Sequence, residues 1–137
     1  DGSTASALIV PFKQVAGGAN GAGFSVIHQK GRSIIGNGLI TTNEADGFKL
    51  RFAEGTTING KPISATKVYP YDTWHVAMIP VPAGADKAFD MIRFGMNHAG
   101  NVGRNIIIGA GTEFVQGDIS KVGDKVAALM TEYNISN

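Results

Sequence analysis

The chain has 137 residues, with 12 basic and 11 acidic side chains that give a formal net charge of +1. This length predicts one domain, residues 1–137, and because the basic residues form no stripe, a nucleic-acid partner is not expected. The sequence has no cysteine, which excludes disulfides, thiolate nucleophiles and Cys-based zinc sites. No apolar run approaches the roughly 20 residues of a membrane span, so membrane insertion is not expected. The abrupt start at Asp1 lacks the features of a signal peptide, and we expect the chain to be the C-terminal part of a larger protein.

Short strands separated by turns fill most of the chain. Residues 6–12 predict a first strand, which Pro11 ends or places at a sheet edge because proline donates no N–H to a ladder. Asn-Gly pairs at residues 37–38 and 59–60 predict tight hairpin turns, since both central residues of a type I′ turn need positive φ. Further strands are predicted at residues 24–28, 33–35, 39–42, 74–79, 89–96, 106–108 and 113–115. Frequent short strands with turn signals are typical of an antiparallel sandwich or barrel.

The segment from Phe48 to Phe52 alternates large apolar side chains with cations. A half-buried antiparallel strand has this period of two. The side chains predicted to point inward are Phe48, Leu50 and Phe52, and those predicted to face solvent or a partner chain are Lys49 and Arg51.

Only the C-terminal segment has the period of a helix. An apolar stripe with helical spacing is formed by Val122, Val126, Leu129, Met130 and Tyr133. Asp118 or Ser120 is expected to cap the start of this helix with a side-chain oxygen. The sequence therefore predicts an all-β fold with one short helix near residues 121–133.

A series of motifs runs from Thr73 to Ile119. They are Trp74-His75-Val76-Ala77-Met78, Val81-Pro82-Ala83-Gly84-Ala85, Ile92-Arg93-Phe94-Gly95, Ile106-Ile107-Ile108-Gly109-Ala110 and Glu113-Phe114-Val115-Gln116-Gly117. These motifs resemble the second half of jelly-roll carbohydrate-binding modules, the galactose-binding-like β-sandwiches. Similar domains lie at the C-terminal ends of phage tailspike and tail-fibre proteins. The resemblance covers about a third of the chain and implies an antiparallel jelly-roll β-sandwich, a homotrimer, and a place on the virion or outside the cell.

Aromatic and polar residues near strand ends form the predicted ligand site. Sugar rings stack on aromatic faces, so Tyr69 and Tyr71 are expected to form an exposed platform, whereas Trp74 is expected in the core. His75 alternates with Trp74 and Val76, which makes it either a solvent-facing or hydrogen-bonded strand histidine or a group that binds the ligand. The predicted ligand-binding residues are Tyr69, Tyr71, His75, Asn97, His98, Asn101 and Arg104.

The last four of these residues belong to the loop from Asn97 to Asn105. Its amides, imidazole and guanidinium suit sugar hydroxyls, and Arg104 could form bidentate hydrogen bonds with a carboxylated sugar. The alternative is a connecting loop whose Asn and Gly residues only supply positive φ.

Acidic residues near the late strands suggest a structural cation more than catalysis. Calcium binds six to eight oxygen ligands and is common in the resembled modules, so Glu113 and Asp118 are the predicted metal ligands. A glycosidase needs two carboxylates within roughly 5–9.5 Å of each other, and Asp90, Glu113 and Asp118 could supply such a pair. The sequence contains no Gly-x-Ser-x-Gly elbow and no phosphate-binding loop.

We therefore expect a non-catalytic domain that binds carbohydrate or recognises a receptor at the end of a phage tailspike or tail fibre. Its partner would be the surface polysaccharide of the host cell. One alternative is a trimerisation or stabilising cap, because Leu8-Ile9-Val10 and Ile34-Ile35 are more apolar than a small sandwich needs and the helix could pack across a three-fold axis. A small glycan hydrolase is the second alternative.

Overall fold

The computed structural model of the chain describes residues 6–17, 23–28, 39–52, 54–81, 89–96 and 105–136. In chain order, the elements are β1 (Ser6–Gln14), β2 (Gly23–His28), β3 (Leu39–Asn43), β4 (Gly47–Phe52), β5 (Thr57–Ile58), β6 (Lys61–Pro62), β7 (Tyr69–Pro70), β8 (Trp74–Val81), β9 (Phe89–Met96), β10 (Ile106–Ile108), β11 (Glu113–Gln116) and α1 (Val122–Glu132). The predicted mostly β fold with a short C-terminal helix is confirmed. The strand predicted at residues 33–35 and the Asn-Gly turn at residues 37–38 lie outside the described residues.

The strands form two antiparallel sheets. In the first sheet the strand order is β10-β1-β8-β5-β6, and β11 pairs with β1 beside β10. In the second sheet the order is β7-β4-β3-β2-β9. β1 is central, because β8 pairs with it from Ser6 to Lys13 on one side while β10 and β11 pair with it on the other.

Pro11 lies inside this central strand, so the prediction that it ends the strand or marks an edge is wrong. The carbonyl oxygen of Pro11 accepts a hydrogen bond from the Gly109 N–H at 2.8 Å. In an antiparallel strand the N–H and C=O of one residue point to the same side. The missing N–H of Pro11 therefore faces the place where β10 gives way to β11, between the pairs at Ile9 and Phe12, and the ladder to β8 loses no bond.

The main hydrophobic core lies between the two sheets. Its buried members are Leu8, Val10, Phe12, Phe48, Leu50, Ile58, Ile63, Tyr69, Ala77 and Ile79. Phe48 and Leu50 point inward as predicted, with 0% and 2% of their surface exposed. Lys49 points the other way and forms an ion pair with Glu44 at 3.1 Å. The side chains of Arg51 and Phe52 lie outside the described part of the chain.

The helix α1 covers the other face of the first sheet. Its buried side chains Val122, Val126 and Leu129 pack with Ala7, Ile9 and Val76 of β1 and β8. The predicted apolar stripe is confirmed. The predicted side-chain cap is wrong, because Lys121 holds the N-cap position without a side-chain hydrogen bond and the Asp118 carboxylate accepts the Ser120 N–H instead, at 2.9 Å.

The apolar run Leu8-Ile9-Val10 is buried within its own chain. Leu8 and Val10 face the second sheet and Ile9 faces α1, with exposed fractions of 1%, 0% and 0%. The expectation that this run is surplus and available for a trimer interface is therefore wrong, because both faces of β1 are covered. Ile34 and Ile35 lie outside the described residues. Within the described part of the chain, no helix has the length and apolar character needed to cross a bilayer.

Candidate functional site

A surface cleft of about 440 Å³ lies where four segments of the chain meet. The segments are the β5–β6 hairpin, the residues leading into β7, the start of β8 and the residues that follow α1. The aromatic side chains at the cleft are Tyr69, Trp74 and Tyr133, and the cations are Lys61 and Lys67. Of the residues predicted to bind ligand, the structure places Tyr69 and His75 at this cleft.

Two backbone features bring the walls of the cleft together. Asn59 and Gly60 have φ values of 53° and 75° and close the hairpin between Ile58 and Lys61, so the predicted Asn-Gly turn is confirmed. At the end of α1, Asn134 has a φ of 55°, and the Ile135 N–H bonds to the Met130 carbonyl oxygen at 2.8 Å. This left-handed residue with its backward hydrogen bond is the Schellman ending of a helix, and it turns the chain toward the cleft.

Asn59 and His75 form a hydrogen-bonded base for the cleft. The Asn59 Oδ1 accepts the Val76 N–H at 2.8 Å, so the Asn59 Nδ2 is the atom that faces His75 Nδ1, at 3.3 Å. An amide nitrogen only donates, and His75 Nδ1 must therefore be an unprotonated acceptor. His75 Nε2 lies 3.3 Å from the Pro70 carbonyl oxygen and donates to it. Both ring nitrogens are in use, and the imidazole is neutral.

The surroundings of His75 favour the same neutral form. Burial lowers the pKa of His75, the hydrogen bond to Pro70 raises it, and the positive charge of Lys67 lowers it further. The ring is only 3% exposed and lies between Phe12, Phe48 and Tyr69, at centroid distances of 5.6, 5.8 and 5.7 Å. His75 does face opposite Trp74 and Val76 as predicted, but that side is the interior of the protein. Of the two structural roles considered, the hydrogen-bonded one is confirmed and the solvent-facing one is wrong.

The exposed platform expected from Tyr69 and Tyr71 does not form. Tyr69 is 4% exposed and stacks on Phe48 at 6.0 Å, because β7 pairs with β4 and places the two residues opposite each other. Burial raises the pKa of Tyr69. Tyr71 is half-buried, and its hydroxyl group lies 2.9 Å from Asn43 Oδ1 and 3.1 Å from the Glu44 carbonyl oxygen, where it donates. Tyr69 therefore packs in the core, whereas Tyr71 forms hydrogen bonds at the end of β3.

Trp74 lies on the opposite face of β8 from the main core. It is half-buried, so the core position expected for it is wrong, and its ring centroid is 4.7 Å from that of Tyr133. The Tyr133 hydroxyl donates to the Ala110 carbonyl oxygen at 2.7 Å. Gly109 lies so close to both rings that an added Cβ would come within about 3.0 Å of Trp74. The two rings are thus held firmly at the cleft.

One cation of the cleft, Lys67, and a lysine beside the cleft, Lys13, lie over aromatic rings. Lys67 Nζ lies 4.9 Å from the centroid of Tyr69, and Lys13 Nζ lies 4.9 Å from the ring of Trp74. Sequence reasoning missed Lys61, Lys67 and Tyr133 as site residues. Only the Asn-Gly turn before Lys61 gave a signal, because no pattern along the chain shows that residues 58–75 meet residues 133–136.

Tyr71 is not among the residues that line this cleft. Asn97, His98, Asn101 and Arg104 lie outside the described residues. Asn105, at the end of the same loop, is held against β1, where its carbonyl oxygen accepts the Val15 N–H at 2.9 Å.

The predicted metal ligands have other partners in the structure. Glu113 forms an ion pair with Lys125 at 3.1 Å. Asp118 is exposed, and hydrogen bonds from the side chain and backbone of Ser120 lower its pKa. Among the described residues, no group of three or more His, Asp or Glu side chains could hold a metal ion.

The fold and the cleft define a small antiparallel β protein of two packed sheets, with a helix on one face and a cationic aromatic cleft at its surface. Comparison of the chain with known protein families, with curated proteins and with solved structures gives no match.

Proposed function

We propose that this chain is a non-catalytic carbohydrate-binding domain and that the cleft beside Trp74 is its binding site. The observation that carries the proposal is the composition of the cleft, in which the half-buried rings of Trp74 and Tyr133 adjoin ammonium, amide and hydroxyl groups. A pyranose ring has an apolar C–H face and a polar hydroxyl edge. It therefore suits a site where aromatic rings and hydrogen-bonding groups adjoin.

The dimensions and rigidity of the cleft support this role. Its volume of about 440 Å³ lies in the usual range of ligand pockets, roughly 300–1,000 Å³. Tyr69, Trp74 and Tyr133 are fixed by packing and, for Tyr133, by a hydrogen bond to Ala110. Side chains that are already ordered lose little conformational entropy on binding.

The biological setting is part of the proposal. The resemblance of residues 73–119 to modules of phage tailspikes and tail fibres suggests a homotrimeric virion domain that recognises the surface polysaccharide of a host cell. A jelly-roll order of strands is proposed on the same ground. Supporting it, β1 pairs with β10 and β11 and β2 pairs with β9, so early strands lie beside late strands in both sheets. The run β4-β3-β2 of sequential neighbours is a local departure from that order.

The two alternatives lose support from particular contacts. A trimerisation cap drew on the apolar run at residues 8–10, which α1 and the second sheet cover, and on Ile34-Ile35, which lie outside the described residues. A glycan hydrolase drew on a pair from Asp90, Glu113 and Asp118. The carboxylates of Glu113 and Asp118 are engaged by Lys125 and Ser120, and the side chain of Asp90 lies outside the described part of the chain. The binding module is therefore the function that we favour.

A glycan array with the purified chain tests the proposal. We expect at least one saccharide to bind, and Ser136→Trp, which places bulk at the cleft, to weaken that binding tenfold or more. Lys121→Trp, at an exposed site before α1, is the matched control and should bind as wild type does. The absence of any bound saccharide, or full binding by Ser136→Trp at an unchanged melting temperature, would contradict the proposal.

Three further measurements test the rest of the proposal. Arg104→Ala in the same assay compares the loop at residues 97–105 with the cleft, and we expect the smaller effect from the loop. Incubation of each bound saccharide with the protein should release no new reducing ends. Light scattering should give the mass of a trimer, and a monomer at micromolar concentration would rule out the homotrimer.

A further inference from the structure

We propose that the ligand of the cleft is an anionic saccharide, whose carboxylate or phosphate group binds to Lys61 and Lys67. The inference rests on the proposed function and adds to it the chemical class of the sugar.

The lysines of the described residues fall into two groups. Lys49 and Lys125 each have a carboxylate partner at 3.1 Å, from Glu44 and Glu113. By contrast, within the described part of the chain no carboxylate lies at salt-bridge distance from Lys13, Lys61, Lys67 or Lys121. Of these four unpaired lysines, Lys61 and Lys67 line the cleft and Lys13 lies beside it, over the ring of Trp74.

This local excess of positive charge is not a property of the whole chain. The sequence has 12 basic and 11 acidic residues, so an average patch of surface is nearly neutral. The described residues that line the cleft include two lysines and no Asp or Glu. Lys13 adds a third ammonium group at the edge, above the ring of Trp74 at 4.9 Å. An anionic ligand would neutralise this charge, whereas a neutral sugar would leave it unbalanced.

The positions of the two lysines are set by local structure. Lys61 follows the Asn59-Gly60 turn directly and pairs with Ile58 across the hairpin. The Lys67 N–H bonds to the Ser64 carbonyl oxygen at 3.3 Å, which closes a turn before β7. Because the two lysines belong to two different turns, their ammonium groups can approach one anion from different sides.

The aromatic contact of Lys67 orients its charge without using its donors. The ammonium group lies 4.9 Å from the centroid of Tyr69, and Tyr69 is stacked on Phe48. A cation–π contact is attraction between charge and ring face, so the N–H donors of the lysine stay free to bind an oxygen of the ligand. The neutral His75 below contributes no second cation that would repel Lys67.

Matched pairs of saccharides that differ only in charge provide the test. The probes are oligogalacturonate and its carboxyl-reduced product, a phosphorylated mannan oligosaccharide and its dephosphorylated product, and inorganic phosphate alone, whose binding is followed by NMR. Binding is measured by calorimetry at low and at high salt, with wild type, Lys61→Gln, Lys67→Gln and the double variant. Lys121→Gln, an exposed lysine outside the cleft, is the matched control.

We expect the charged member of at least one pair to bind tenfold or more tightly than the neutral member, and added salt to reduce the difference. Each single variant should lose about ten- to a hundredfold in affinity for the charged member, as expected for one charge-assisted hydrogen bond. The double variant should bind both members equally, and Lys121→Gln should behave as wild type. The pair that responds identifies the anion as carboxylate or phosphate.

The other outcomes separate this inference from the proposed function. Equal binding of charged and neutral members, unchanged in the double variant, would overturn the anionic ligand and leave the carbohydrate-binding function standing. Binding of inorganic phosphate that perturbs the NMR signals of Lys61 and Lys67, with no saccharide bound, would overturn the saccharide and the proposed function together. No binding by any probe would also overturn both.

Discussion

The two faces of β8 are covered to different extents. On the face toward the second sheet, His75, Ala77 and Ile79 have exposed fractions of 3%, 0% and 0%. On the face toward α1, only Val76 is fully buried, while Trp74 and Met78 are half-buried. Successive residues of β8 are thus covered completely by the second sheet on one face and only partly by α1 on the other.

The difference follows from the size of the covering elements. An eight-residue strand extends about 26 Å, whereas the 11 residues of α1 extend about 16 Å. One helix of this length cannot cover the whole strand, and the residues left beyond its end include Trp74. The closed face stabilises the fold, and the open end of the other face provides the cleft. The following predictions test this division, from the largest expected effect to the smallest.

The first prediction compares a large side chain of the second sheet with one of α1, the two elements that cover opposite faces of β8. Phe48 contacts the rings of Phe12, Tyr69, Tyr71 and His75 and is fully buried. Phe48→Ala should therefore lower the free energy of unfolding by about 3–5 kcal/mol, and Leu129→Ala in α1 by about 2–3 kcal/mol. Urea denaturation measures both values. Equal losses would mean that the helix covers its face as completely as the second sheet covers the other.

The second prediction concerns the buried histidine of the closed face. Because the pKa of His75 is lowered in the folded protein, the unfolded chain binds more protons than the folded chain below about pH 6.5. Stability should be fully present above that pH and should fall as the pH is lowered toward the folded pKa, by at most about 1.4 kcal/mol per pH unit. Urea midpoints between pH 5 and 7.5 measure the slope.

The variant His75→Gln isolates this effect from the other histidines. Glutamine keeps an acceptor for Asn59 and a donor for Pro70 but does not titrate, and the other two histidines of the sequence are present in both proteins. The difference between the two curves should shrink as the pH falls. A constant difference would show that His75 has the same pKa in both states.

The third prediction concerns a substitution that should stabilise α1 without changing any contact with the sheet. Gly123 lies in the first turn of α1, is exposed, and has no atom within 4 Å of an added Cβ. Gly123→Ala should raise the free energy of unfolding by about 0.4–1 kcal/mol, because it restricts the unfolded chain. Gly60→Ala is the contrast. It has similar space but a φ of 75°, so the same change should destabilise the protein. A gain at both positions would contradict the argument.

The smallest effect is expected on the outer surface of the second sheet. The ion pair between Lys49 and Glu44 has side chains 39% and 37% exposed. Solvent screening reduces such pairs to about 0–1 kcal/mol. Lys49→Ala should therefore cost less than about 1 kcal/mol by urea denaturation, and a loss comparable with that of Phe48→Ala would show that β4 is buried on both faces.

Local patterns predicted the elements that depend on neighbouring residues. The alternation at Phe48 and Leu50, the helical stripe from Val122 and the Asn59-Gly60 turn are each set by a few consecutive residues, and all three are confirmed. The burial of Leu8-Ile9-Val10 was not predictable, because a continuous apolar run shows that both faces are covered but not whether its own chain covers them.

The candidate site was predicted less well than the fold because it depends on contacts distant in sequence. Tyr69 and Tyr71 look equivalent in the sequence, but pairing of β7 with β4 buries one over Phe48 and directs the other to Asn43. The charge of Lys67 becomes informative only when the described residues show no acidic partner. In the sequence Tyr133 belongs to the apolar stripe of the helix, and in the structure it also lines the cleft because the helix ends beside it.

The proline in the middle of β1 also matters before the fold is complete. β1 is synthesised well before β8, which begins at Trp74, and before β10 and β11. Until those strands emerge, the apolar residues from Ala7 to Val10 have no partner in the finished ladder. Such segments are prone to pair with other copies of the same chain, and a proline interrupts that pairing because it offers no N–H. Pro11 costs the native sheet no bond on its β8 side, and we expect it to reduce aggregation of the nascent chain.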